Sequence, residues 1–340
     1  MYEIIKKLCS VGGVSGDESD ICDTVYNLLF PYANVVKNDF GCVFAEFGNR
    51  ESNYTVLLDA HLDRIGFVVT EITPKGFLKL EKCGGIDFRT VPGSVVTVNA
   101  KKSLQGVICC MPPHLSDGKE DKAVSAERIY ADFGLPVSEV KNLVSVGDTA
   151  YFAGQPEKLL GNKVTSPALD NRAGVAAVVK TAQLLNGKKC PCRVVAMFTS
   201  QEETYQLGAK TSAFSLEANE VVAIDVSFAS QPDISGQYGK INLTEGPMIC
   251  YSPVLNKNIT EKLKSTAVDN KIPFQLEVCS GRTGTNADSV AVCKSGVKTG
   301  LVSVPQRYMH TQAEVVDIAD IENTALILEK YILSGGMSNE

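Results

Sequence analysis

Four short apolar runs that each break off in polar residues, at 55–59, 193–199, 221–226 and 300–304, limit what this chain can fold into more than any other feature. They are rich in Val, Leu, Ile, Ala and Phe throughout and do not alternate with polar residues. That texture is expected when helices cover both faces of a strand. Helical patterns lie between and after the runs, at 171–185, 208–216, 258–270 and 317–333, and Pro273 stops the third. The alternation predicts an α/β layer.

Residues 67–151 have a different texture. Short β-rich pieces at 67–69, 77–80, 95–98 and 106–108 are punctuated by Lys75-Gly76, Gly84-Gly85 and Pro92-Gly93, with one helix expected near 138–143. This predicts a small β-barrel-like domain set into the α/β domain. The expected division is an α/β domain in two parts, 1–66 and 158–340, around an insert at 67–157. Residues 334–340 read as a frayed tail.

Composition excludes several function classes. A net charge of −6 over 340 residues, with no long basic run, argues against nucleic acid or an anionic membrane surface as the main partner. No stretch approaches the roughly 18 apolar residues of a membrane span, since 221–224 runs straight into Asp225. The first ten residues read as a helix and not as a signal segment, and eleven scattered cysteines fit a reducing compartment, so the expected location is cytoplasmic.

The chemistry concentrates in a few polar residues at strand ends. His61 and His310 sit where strands run out into loops, and His61-Leu62-Asp63 has the period-2 spacing that lets a carboxylate orient an imidazole. Asp170 opens an alanine-rich helical pattern, which also suits an N-cap. Glu202-Glu203 ends a buried run, and a solvated loop is the bland alternative. Asp225 lies within an apolar run, where an ionised carboxylate needs a cation or strong hydrogen bonds. Together His61, Asp170, Glu203, Asp225 and His310 form a donor set able to hold two divalent ions if one Asp bridges. Imidazole and carboxylate donors suit zinc, cobalt or manganese better than calcium.

In this order, His61-x-Asp63, Asp170, Glu202-Glu203, Asp225 and His310 resemble the co-catalytic metallopeptidases. The long gap between His61 and Asp170 falls where the tetrahedral, or TET-type, aminopeptidases (metallopeptidase family 42) insert a second domain. Further phrases match: Gly13-Val14-Ser15-Gly16, Met111-Pro112-Pro113-His114-Leu115, Val146-Gly147-Asp148 and the stretch 281–288, where Asn286 replaces the family's usual Asp. The resemblance implies a three-layer mixed-sheet catalytic domain with a barrel insert that serves assembly and access. It implies an aminopeptidase acting on short peptides with two divalent ions, Zn2+ or else Co2+ or Mn2+. Asp170 would bridge, with His61 and Asp225 on one ion and Glu203 and His310 on the other. Glu202 would be the general base, Asp63 would support catalysis, and a cis peptide would follow Asp170. Self-association into a dodecamer built from dimers is implied too. The competing readings are a carboxypeptidase, a deacylase or a deblocking hydrolase on the same ions, or a non-catalytic homologue; a glycosidase would need facing carboxyl groups without metal.

Other residues have plainer readings. His114 suits a structural or interface role, Cys190-Pro191-Cys192 reads as core or loop thiols, and 84–89 reads as a barrel turn. Arg282 and Arg307 could pair with substrate carboxylates or with structural ones.

Overall fold

The computed structural model describes residues 1–109, 115, 129–232 and 234–338. The four apolar runs become the strands Thr55–His61, Arg193–Thr199, Glu220–Phe228 and Thr299–Arg307. They lie side by side and parallel at the centre of a sheet that has eleven strands among the described residues, in the spatial order 193–199, 55–61, 220–228, 299–307. Antiparallel neighbours extend both flanks, Val43–Gly48 on one side and Glu314–Asp317 on the other, so the sheet is mixed. Glu157–Lys158 returns the chain to this sheet by pairing with Lys163–Ser166.

Period-2 geometry sorts the central strands between two cores. Val56, Leu58 and Ala60 join the larger core, with residues of Tyr2–Cys9, Ser19–Leu29, Leu169–Leu185, Lys257–Asp269 and Ile318–Leu333. Leu57 points the other way, into a cluster with Met197, Val221, Val290 and residues of the helix Leu207–Ser215. Helices on both faces give three layers and explain why the runs are apolar along their whole length.

Among the described residues, six strands form a separate closed barrel in the order 66–72, 78–83, 130–132, 104–108, 95–99, 149–152. Its own core holds Phe67, Leu80, Val96, Val98 and Phe152, with Phe67 and Phe152 meeting edge to face at 5.4 Å. The helix expected near 138–143 is Val137–Leu143. His114 and the rest of 111–114 lie outside the described residues.

The parallel core fixes where chemistry can gather. Thr199 pairs with His61 and Asp225 with Ser303, so all four central strands deliver their C-terminal ends to one edge of the sheet. Open α/β sheets bind ligands at that edge. Among the described residues, no helix is long and apolar enough to cross a membrane.

Candidate metal centre

His61, Asp170, Glu202, Glu203, Asp225 and His310 converge at this edge. His61 Nε2 lies 3.2 Å from Asp170 Oδ1 and 3.7 Å from Asp225 Oδ1. His310 Nε2 lies 3.3 Å from Asp170 Oδ2 and 3.2 Å from Glu203 Oε2. The donors therefore fall into two groups, His61–Asp170–Asp225 and Asp170–Glu203–His310, which share only Asp170. His310 is one-third exposed while the others are nearly covered, so the cluster opens to solvent on the His310 side.

Each imidazole is turned inward by a carbonyl on its far nitrogen. His61 Nδ1 lies 3.1 Å from the Asp63 carbonyl, and His310 Nδ1 lies 3.0 Å from the Gly85 carbonyl. A far-side acceptor of this kind fixes the tautomer and leaves Nε2 free to ligate. The Asp63 carboxylate stands farther from His61, at 3.5 Å, and its main partners are elsewhere. It accepts from the N–H groups of Glu202 at 2.9 Å and Glu203 at 3.1 Å, and from the Ser15 hydroxyl at 2.6 Å. Asp63 thus orients His61 through its backbone and positions the Glu202-Glu203 pair through its side chain.

Asp170 does not cap the helix. Its backbone is non-helical (φ −78°, ψ 110°) and the Asp170–Asn171 peptide is cis, as the resemblance implied. Asn171 takes the local role instead: its Oδ1 accepts from Gly174 N–H at 3.1 Å, and its Nδ2 donates to the Ile224 carbonyl at 2.8 Å. That second bond ties the start of the helix to the strand carrying Asp225. Left-handed backbone at Ala168, Gln201 and His310 flanks the same cluster. Strained conformations in non-glycine residues gather at functional sites.

The electrostatics fit a cation-binding site. Burial pushes the Glu202 carboxyl up to about 9; His61 opposes the rise, and the charges of Asp225, Glu203 and Asp63 add to it. Burial also raises Glu203 and Asp225. It works against protonation of His310, yet hydrogen bonds to Asp170 and Glu203 pull that imidazole up to about 11. A buried carboxylate without a counter-charge costs several kcal/mol. This cluster packs five largely covered carboxylates, counting Asp63, around only two imidazoles, and Glu203 Oε1 is buried with no hydrogen-bond partner. Divalent cations would satisfy both the charge and that free oxygen, so the donor set fits the metals the fold implies.

Sequence reasoning missed two residues here. Gly85 belongs to a turn read as plain barrel structure, yet its carbonyl reaches across to His310. Glu314 opens an apolar run, and that was its only signal. It is buried, its two oxygens accept from Asp170 N–H at 3.1 Å and His310 N–H at 2.9 Å, and burial pushes its carboxyl up to about 8 with help from the charge on Asp170.

Asn286 is not at the substrate surface. It is buried behind the strand ends, where its Nδ2 donates to Thr199 Oγ1 at 2.7 Å while the Thr199 hydroxyl donates to Asp59 at 3.1 Å. One hydroxyl has one proton, so a Thr that gives it to Asp59 needs a donor at position 286. An amide supplies that donor and a carboxylate does not. Arg282 lies 3.5 Å from Asp288, and Arg307 donates to the Ser230 carbonyl at 2.6 Å. Cys190 and Cys192 are buried free thiols.

Comparison with known proteins agrees with this geometry. Residues 41–327 match the family described as M42 glutamyl aminopeptidase. A lysyl aminopeptidase of Pyrococcus furiosus is 31% identical over 330 residues, covering 95% of this chain and 94% of that protein. An aminopeptidase structure from the archaeon Desulfurococcus kamchatkensis superposes with a TM-score of 0.92 at 32% identity, covering 98% and 94% of the two chains. The Pyrococcus horikoshii TET1 peptidase, described as assembling into a tetrahedron or a large octahedral shell, gives a TM-score of 0.87 at 30% identity, covering 97% and 98%. The chain belongs to the M42 aminopeptidase family, and it is a metal-dependent peptide hydrolase that acts as an aminopeptidase.

Proposed function

We propose that the enzyme removes N-terminal residues from short peptides at a centre of two zinc-class ions, Zn2+ in the first instance, with Co2+ or Mn2+ as alternatives. Asp170 would bridge them, His61 and Asp225 would hold one, and Glu203 and His310 the other. The observation that carries this reading is the division of labour within one carboxylate, Asp170 Oδ1 facing His61 and Oδ2 facing His310. Bound ions would polarise the scissile carbonyl and lower the pKa of the attacking water towards about 7.

Glu202 is the proton carrier in this account. Its Oε2 lies 4.0 Å from His61 Nε2, at the rim of the donor cluster, and its Oε1 accepts from Gln206 Nε2 at 3.2 Å. Gln206 is itself fixed by donating to the Thr285 carbonyl at 2.7 Å, so the general base is held in one orientation. A buried carboxyl takes a proton readily and can return it to the leaving amine. The acidic surroundings attract the substrate's free α-ammonium, which favours cleavage next to a chain end.

For Glu202→Gln, turnover on an aminoacyl p-nitroanilide should fall at least ~100-fold, with metal content unchanged; near-parental turnover would remove Glu202 as the base. The same assay with an N-acetylated substrate separates aminopeptidase from deblocking or deacylase activity. The free-amine substrate should be strongly preferred.

We also infer self-association into a dodecamer built from dimers, in which the insert at 67–157 serves assembly and access. The similarity to the tetrahedral P. horikoshii peptidase supports this. Light scattering should return a particle of about twelve chains, and a monomer would contradict it.

A further inference from the structure

We propose that Cys250, Glu277 and Cys279 form an additional metal site for a thiophilic divalent ion, Zn2+, distinct from the two-histidine centre. Cys250 lies on the strand Met248–Tyr251 and pairs in register with Glu277 on the parallel strand Gln275–Val278. Cys279 follows Glu277 by two positions, so all three side chains emerge on one face of the pair. Their donor atoms lie within 4.8 Å of one another, a third such group among the described residues.

The spacing of the sulfurs suits a tetrahedral ion. Two thiolates at the usual Zn–S length of about 2.3 Å subtend an S···S separation of roughly 3.8 Å. Cys250 Sγ and Cys279 Sγ are 3.7 Å apart. A disulfide would require about 2.05 Å. Two thiolates and a carboxylate select zinc over magnesium or calcium and leave a fourth position for water.

Glu277 has the surroundings of an outer-shell-supported ligand. It is buried, accepts from Ser227 Oγ at 2.6 Å and is approached by Ser303 Oγ at 3.5 Å. Its hydrogen-bond partners Ser227, Ser303 and Tyr238 are uncharged hydroxyls, and burial raises its pKa. Tyr238 also reaches Cys279. A cation between the two sulfurs would neutralise this carboxylate, and the two thiol protons would leave to solvent as it binds. An apolar groove lined by Tyr251, Pro253, Leu255, Val278 and Cys279 offers the way in. Ser227 lies two residues beyond Asp225 on its strand, so an ion here would brace that strand from outside the catalytic centre.

The test uses the full-length enzyme, stripped with chelator and reloaded. Cobalt titration should produce a sulfur-to-cobalt charge-transfer band in the near ultraviolet, which imidazole and carboxylate ligands do not give. Zinc loading should place one more ion per chain on the parent than on Cys279→Ser, which should also lose the band. Glu277→Gln provides a second variant should Cys279→Ser fold poorly, and the band in the parent needs no variant at all. No band in the parent, or equal zinc content and an unchanged band in the variants, would overturn the proposal. So would a Cys250–Cys279 disulfide that forms even in the presence of zinc. None of these outcomes bears on the two-histidine centre, whose ligands are different residues.

Discussion

Single residues decide whether the two imidazoles face inward. Gly85 is the clearest case, because a Cβ there would lie 2.6 Å from His310 Nδ1 and 2.9 Å from its Cε1. Its backbone is not left-handed, so alanine meets no conformational penalty and the whole cost falls on the imidazole. Gly85→Ala should therefore lower kcat/KM about 10-fold or more, since displacing a ligand's outer partner costs roughly 10- to 100-fold in metal affinity or activity. The melting temperature should change little, and unchanged kcat/KM and zinc retention would contradict the role given to this carbonyl. His61, Glu203, Asp225 and His310 were singled out in the sequence as polar residues in or just beyond apolar strand runs, and Asp170 as the carboxylate that opens an alanine-rich pattern. Gly85 and Glu314 were not, since Gly85 reaches His310 from the barrel and Glu314 reaches Asp170 from the far end of the chain, contacts that local patterns do not record. Asn286 stood out in the sequence only as a departure. The structure gives it a reason in the single hydroxyl proton of Thr199.

Elements explain why so much was readable and where reading failed. Strands covered on both faces leave an unbroken apolar record, so the four central ones were placed to within three residues at every end. The start of the helix at Leu169–Leu185 was harder. An Asp before an alanine-rich pattern suggests a cap, but Asn171 takes that bond and frees Asp170 for the site. Another carboxylate shows how an element carries pH dependence. Asp320, in the first turn of Ile318–Leu333, accepts from Thr244 N–H at 2.7 Å and Gly246 N–H at 2.8 Å. Burial nevertheless pushes it up to about 6. The folded chain thus binds this proton more tightly than the unfolded chain, whose aspartates titrate near about 3.9. Its contribution to stability is full below that value and is lost as pH rises through about 6. Melting curves between pH 4 and 7 should show the parent losing stability with rising pH relative to Asp320→Asn. Parallel trends would contradict this sign.

At the scale of the whole molecule, a parallel sheet collects donors from four strands, and a barrel set between two of those strands lends a carbonyl to one ligand. The change of texture after residue 66 made the barrel legible, because short β pieces between turn formers cannot belong to a doubly covered sheet. Its closure and its reach to His310 depend on pairings between distant strands, which local patterns do not record. The central claim is that this architecture holds two ions across one bridging Asp170. Anomalous diffraction at the zinc edge from zinc-loaded crystals tests it most directly. The expected result is two peaks about 3.5 to 4 Å apart, one within ligand distance of His61 and Asp225, the other of Glu203 and His310, with Asp170 contacting both. A single peak among these residues, or a pair that leaves Asp170 uncoordinated, would contradict it.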